Sequence, residues 1–296
     1  MSIRLAIAAF LLLSGCAAPR VPFSAMRWPA LLERPRPAPD QTLAYGTDPL
    51  QKVDVWLPAG RGPHPVVIMV HGGCWTTGIA DRSIMAWIAD DLRREGLAVW
   101  NIDYRGIDLP GGGYPGTFAD VAAATDMLGA DSDRLGLDTR SVVAVGHSAG
   151  AHLALWLAAR ARLPADSPLR TGNPLPIAHV VALGGLPDLE ATAAAADNGC
   201  GTEVVGKLVG VGRATPYADT SIPPLLPIGV PHTQVVGRED RIIPIRLPQD
   251  FAARARAAGD DATLTIVPDT GHVELIAPET RAWAATKHAI RKALDR

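Results

Sequence analysis

The sequence predicts an α/β fold in three layers, with a mainly parallel sheet between two layers of helices. Strand-like apolar runs alternate along the chain with segments of helical spacing, which is the pattern of stacked β-α units. One run, PVVIMV (65–70), is continuously apolar, as a strand buried on both faces must be. The Gly, His, Ser and Asp residues that stand out gather just after such runs, where ligands bind in parallel sheets.

The elements follow in order. KVDVWLP (52–58) alternates like an edge strand, and PVVIMV follows it. SIMAWIADDLRREG (83–96) has helical spacing and stops at a glycine. LAVWNIDY (97–104) is a strand, TFADVAAATDMLGA (117–130) a helix and SVVAVG (141–146) a strand. AGAHLALWLAARARL (149–163) is a strongly apolar helix. HVVALGG (179–185) and HTQVVG (232–237) are strands, joined by a long Gly/Pro-rich segment with a short helix expected near 202–209. LPQDFAARARAAG (247–259) is a helix, ATLTIVP (262–268) a strand and PETRAWAATKHAIRKAL (278–294) a final helix.

Composition supports one large domain. Of 296 residues, 48% are hydrophobic and 20% charged, enough for a sizeable core. A net charge of −2 without a basic stripe argues against a nucleic-acid partner. No metal-ligand spacing or nucleotide fingerprint is seen. GGG at 111–113 precedes YPG and reads as a loop.

Gly146-His147-Ser148-Ala149-Gly150 fits G-x-S-x-G, and it sits where a buried strand becomes a helix. A sharp turn there holds a hydroxyl out, and the helix start aims N–H groups at it. A serine needs a base. Asp240 follows the strand HTQVVG in GREDRIIP, and His272 follows the next strand in PDTGHVE. Both fall in loops at strand carboxyl ends, in the chain order serine, acid, histidine. The rival residues are less well placed. His288 lies in the last helix, His147 should point away from the turn, and His152 reads as a packed helix residue. Glu239 and Asp269 are rival acids, with Asp269 close to His272 in the chain. VHGGCW (70–75) follows the central strand, and its glycines let Gly73 and Cys74 offer backbone N–H groups beside that of Ala149, as an oxyanion hole does. Trp75 and Tyr114 are candidates to line the opening.

HGGCW, NIDYR (101–105), YPGTFADV (114–121), GHSAGAH, GREDRIIP and GH together resemble the α/β-hydrolase superfamily, in its esterase branch with hormone-sensitive-lipase-like carboxylesterases and kynurenine-formamidase-like enzymes. The likeness runs from about 50 to 290. HGGxW with GHSAGAH leans to the formamidase-like side, since the lipase pattern HGGG has Cys74 at its third glycine. The resemblance implies a serine hydrolase of small carboxylic esters, with Ser148 as nucleophile, His272 as base, Asp240 as acid and no cofactor; an amidase, formamidase or peptidase using the same three residues is the alternative. A catalytically silent binding protein of the same fold is the alternative from another class.

The N-terminus reads differently. MSIR, LAIAAFLLL and SGC have the layout of a secretory signal peptide, and the apolar run at 5–13 is far short of the ~20 residues of a membrane span. LSGC resembles a bacterial lipoprotein processing site, which implies removal of 1–15 and lipid on Cys16. With Ala17 next and no Asp, an outer-membrane destination facing the periplasm is expected. Residues 16–42 then form a Pro-rich tether in which MRWPALLE could dock, and 43–296 the catalytic domain. Cys74 and Cys200 remain, free to pair in an oxidising compartment or to stay as buried thiols.

Overall fold

The computed structural model describes residues 23–295. Its strands are β1 (Gln41–Ala44), β2 (Lys52–Trp56), β3 (His64–Val70), β4 (Ala98–Ile102), β5 (Leu137–His147), β6 (His179–Leu183), β7 (His232–Gly237) and β8 (Ala262–Val267). They form one sheet in the order β1-β2-β4-β3-β5-β6-β7-β8. β1 and β2 run antiparallel to their neighbours, and every pairing from β4 to β8 is parallel.

β3 shows why the continuous apolar run was informative. Val66, Ile68 and Val70 enter one core and Val67 and Met69 the other, because strand side chains alternate between faces. The helices are α1 (Trp28–Leu32), α2 (Ala86–Arg94), α3 (Gly116–Leu135), α4 (Ala149–Ala159), α5 (Leu189–Ala194), α6 (Glu203–Val209), α7 (Arg246–Ala257) and α8 (Arg281–Leu294). α3, α4 and α7 supply Phe118, Trp156 and Phe251 to the first core. α2 and α8 supply Leu92, Trp283 and Ile290 to the second. Every residue of α4 is buried, so its apolar composition on all sides is required. α3 ends at Gly136, whose φ of 64° is the left-handed conformation of a helix C-terminus. Thr280 caps α8 by accepting from Trp283 N at 3.1 Å.

The structure adjusts several expectations. The strand at 141–146 begins earlier, at Leu137, and the helix at 149–163 ends at Ala159 and tightens into a 3₁₀ turn over Arg160–Arg162. α5 was not anticipated; it is six residues long and is started by Asp188, which accepts from Ala191 N. The segment read as a tether is folded along its described part. β1 adds an edge strand, and Leu31 of α1 is wholly buried in the second core. The folded unit therefore starts before Leu43. Cys16 and the expected signal peptide lie outside the described residues.

Two core histidines tie stability to pH. Burial pushes His152 and His232 each down to about 4, so both are neutral in the fold. Unfolded, each takes up its proton near 6.5. The unfolded state thus binds more protons between about pH 4 and 6.5, and stability rises with pH across that window. Each site contributes about 3 kcal/mol that is present above pH 6.5 and lost as the pH falls to about 4. Melting temperatures at pH 7 and pH 4.5 are expected to differ by more than about 10 °C; equal values would contradict this.

Candidate active site

β5 passes straight into α4 through Ser148, whose φ of 55° and ψ of −120° no ordinary strand or helix residue adopts. Ser148 N donates to Leu183 O at 2.8 Å, which fixes the turn to β6. The flanking glycines are sterically required. A Cβ on Gly146 would stand 2.1 Å from Gly150 O, and one on Gly150 would stand 2.1 Å from Val70 O and 2.4 Å from His71 O. All of these are backbone atoms that cannot swing aside. Gly150→Ala is accordingly expected to cost at least about 3 kcal/mol, read as a fall in melting temperature of roughly 6–12 °C.

Asp240 and His272 meet in the loops after β7 and β8. His272 Nδ1 lies 2.7 Å from Asp240 Oδ2, and both side chains are nearly fully buried. Asp240 Oδ1 accepts from Ile242 N at 2.8 Å and Ile243 N at 3.0 Å, so the carboxylate is held by its own loop. The pair adjoins the serine turn through β6. Ser148 is bonded to Leu183, and a Cβ on the next residue, Gly184, would stand 3.2 Å from His272 Nδ1 and 3.3 Å from Asp240 Oδ2. With Nδ1 engaged by Asp240, the free ring nitrogen of His272 is Nε2.

His147 also belongs to this cluster. Its ring lies 4.5 Å from that of His272, and its Nε2 lies 3.2 Å from His272 O. A carbonyl only accepts, so Nε2 carries the proton. Burial holds His147 well below the ordinary histidine range, and it is a neutral brace behind His272.

The loop after β3 closes against the same turn. A Cβ on Gly72 would stand 3.0 Å from Ser148 Cβ. Gly73, Cys74 and Trp75 all have positive φ, at 107°, 51° and 54°. His71 Nδ1 donates to Gly72 O at 2.7 Å. In a trans peptide the carbonyl and the next N–H point in opposite directions, so the Gly73 N–H is turned away from His71. His71 is itself held: Nε2 lies 2.9 Å from Asp103 Oδ1, and Arg82 Nη1 donates to Asp103 Oδ2 at 2.7 Å. The motifs do not single out His71 or Asp103, which hold the loop after β3 in place. Their signal was present in HGG and NIDYR, whose charged and aromatic residues sit at the ends of two adjacent strands.

Cys74 is joined to Cys200 in a disulfide, which ties this loop to the segment between α5 and α6. It closes a loop of 126 residues, and such a constraint is worth about 4–5 kcal/mol on chain-entropy grounds. Dithiothreitol, or a Cys74→Ser/Cys200→Ser variant, is expected to lower the melting temperature by about 10 °C or more. An unchanged value would contradict the link.

Other expected residues fall elsewhere. Trp75 has no exposed surface and packs edge-on to His152, so it lies in the core beneath the loop and does not line an opening. Its backbone follows Cys74 in the left-handed region, which turns the side chain into the first core. Tyr114 lies under the Arg213 guanidinium at 3.6 Å and donates to Asp219 Oδ2 at 3.2 Å, joining the 111–116 loop to the 198–219 segment. Glu239 accepts from Thr270 N at 3.0 Å, and the Asp269 side chain is 64% exposed beside Arg281. Ala149, whose N–H is the other expected donor, opens α4 directly after Ser148. Among the described residues no group of His, Cys, Asp and Glu is placed to hold a metal ion, and no helix is long and apolar enough to cross a membrane.

Known proteins resemble this chain in sequence and in fold. The model of the BD-FAE family matches residues 53–254. Esterase LipC of Mycobacterium tuberculosis is 33% identical over 158 residues, covering 49% of this chain and 37% of that protein. A probable isoprenylcysteine alpha-carbonyl methylesterase of Arabidopsis thaliana is 30% identical over 118 residues, 38% of this chain and 23% of that protein. The matches thus span well under half the length of these relatives. Among solved structures, esterase B from Lactobacillus rhamnosis superposes with a TM-score of 0.73 at 21% identity, covering 88% of this chain and 87% of that one. With an eight-stranded, mostly parallel sheet and the matched stretch spanning most of it, the chain is an α/β-hydrolase by fold and belongs to the BD-FAE family.

Proposed function

We propose that this protein is a serine hydrolase that cleaves small carboxylic esters through Ser148, His272 and Asp240. The observation that carries it is the buried Asp240–His272 pair, set one residue from the backbone anchor of a strained serine. The esterase names of its relatives favour the same chemistry. His272 Nε2 takes the proton from Ser148 Oγ as the hydroxyl attacks the ester carbonyl. The N–H groups of Gly73, Cys74 and Ala149 hold the oxyanion. Asp240 keeps the imidazole in the Nδ1–H tautomer and stabilises its charge. His272 then protonates the departing alcohol, and water cleaves the acyl-enzyme by the same route.

A fluorophosphonate probe is expected to label Ser148, and aryl esters of short acyl chains to turn over faster than N-formyl anilides. Faster anilide turnover would make the enzyme an amidase with the same residues. Absence of both label and turnover would leave a binding protein. The proposed setting is the periplasmic face of the outer membrane, held by lipid on Cys16. From Cys16 to Ala25 the chain spans at most about 30 Å, which would keep the site close to the bilayer. Incorporation of labelled palmitate, lost in Cys16→Ser, tests the anchor.

A further inference from the structure

The segment expected to be a tether passes beside His272. Trp28, the first residue of α1, stands edge-on to two rings of the site, 6.5 Å from His272 and 6.2 Å from His147 between centroids. Its place is fixed from several sides. Met26 N donates to Glu274 Oε1 at 2.6 Å, and the other oxygen of that buried carboxylate accepts from Gly271 N at 3.1 Å. Glu274 thus joins the N-terminal segment to the residue before His272. Gly271 permits the approach, since a Cβ there would stand 3.2 Å from Ala25 Cβ. Further along, Leu31 is buried, Arg34 pairs with Glu279, and Trp87 Nε1 donates to Pro35 O at 3.1 Å.

Between this segment and the loops of Asp240 and His272 lies a cleft of about 320 Å³. Met26, Trp28 and Pro29 form one side, and Ile242, Val273 and His272 the other. The surface is mainly apolar, and its one catalytic neighbour is His272. Resting on the hydrolase reading above, that position identifies the occupant. The group that His272 protonates on departure is the alcohol of the ester, and this cleft has His272 in its wall, so it is the space assigned here to the alcohol. Arg27, Glu239 and Arg241 also line the cleft, but most of its surface is apolar, so an apolar alcohol gains most from entering it.

We propose that residues 25–29 form the alcohol-side wall of the active site and that Trp28 sets its preference for esters of bulky apolar alcohols. The segment thus serves as a specificity element as well as a link to the N-terminus.

The test uses the folded protein and two ester series. In one, acetate is kept and the alcohol varies from ethanol to 1-naphthol; in the other, the alcohol is kept and the acyl chain varies. Trp28→Ala is expected to lower the ratio of kcat/KM for 1-naphthyl over ethyl acetate by roughly tenfold, with the order of acyl preference retained. Trp28→Phe, which keeps an apolar ring, is expected to restore most of that ratio, and melting curves of both variants show whether the fold is intact. An unchanged alcohol ratio, or a change confined to the acyl series, would overturn the proposal. If the wild-type protein hydrolyses no ester, the hydrolase reading fails separately, and the wall is then read by binding. In Ser148→Ala, calorimetry is expected to show 1-naphthol binding weakened roughly tenfold by Trp28→Ala, and equal affinities would overturn the wall.

Discussion

Ser148→Ala is expected to lower the turnover of a short-chain aryl ester by about 10⁶, the loss typical of a nucleophile removed from a working triad. The fold should survive the change. The unusual backbone at Ser148 is imposed by its N–H bond to Leu183 and by the tight approach of Gly146 and Gly150, none of which involves the hydroxyl. The alanine variant therefore keeps the turn and the proposed oxyanion donors but has no oxygen to acylate. What remains is the rate that positioning and oxyanion stabilisation give to water, on the order of 10³–10⁴ above the uncatalysed reaction. Fluorophosphonate labelling is expected to vanish in the same variant while its melting temperature stays near that of the wild type. A loss of less than about 100-fold, with the fold intact, would remove Ser148 from the nucleophile's role.

How much of this could be read in the sequence depends on what kind of constraint each feature obeys. The turn at Ser148 was legible because its demands are local: two glycines, a buried strand before and a buried helix after all lie within a dozen residues. Asp240 and His272 were legible because a parallel sheet brings the ends of successive strands to one edge, and chain order then stands in for distance. Cys74 and Cys200 gave no such handle. Their positions are 126 residues apart, and only the folded path between β6 and β7 brings them together. Trp28 was hidden for a different reason. Its neighbours are prolines and arginines without a period, so composition suggested a tether; contacts with Glu274, Glu279 and the second core are what hold it. His71 was overlooked because its role is indirect. It acts on a backbone carbonyl, and no spacing rule marks a residue that orients a peptide plane. Trp75 was misjudged because proximity in sequence to a site does not fix direction, and three consecutive positive φ values turn its side chain inward.

Asp240→Asn is expected to lower turnover by about 10⁴, and the hydrogen bonds of Asp240 say why. Its Oδ1 accepts from two backbone donors, Ile242 N and Ile243 N, and its Oδ2 faces His272 Nδ1. An asparagine in this place must keep its carbonyl toward the two N–H groups, because turning its amide over would set donor against donor twice. The amide nitrogen then faces His272 and donates to Nδ1, so the ring proton moves to Nε2, the nitrogen that accepts from Ser148 in the proposed mechanism. The base is thus present, in place and in the wrong tautomer. Substrate binding does not depend on that proton, so the loss is expected in kcat with KM little changed. Activity of the variant is also expected to climb with pH further into the alkaline range than that of the wild type, as hydroxide takes over from the disabled base. Asp240→Ala separates orientation from tautomer, since it frees the ring to choose either form but removes the anchor. An asparagine variant that retains more than about a tenth of wild-type turnover would show that Asp240 does not hold the tautomer of His272.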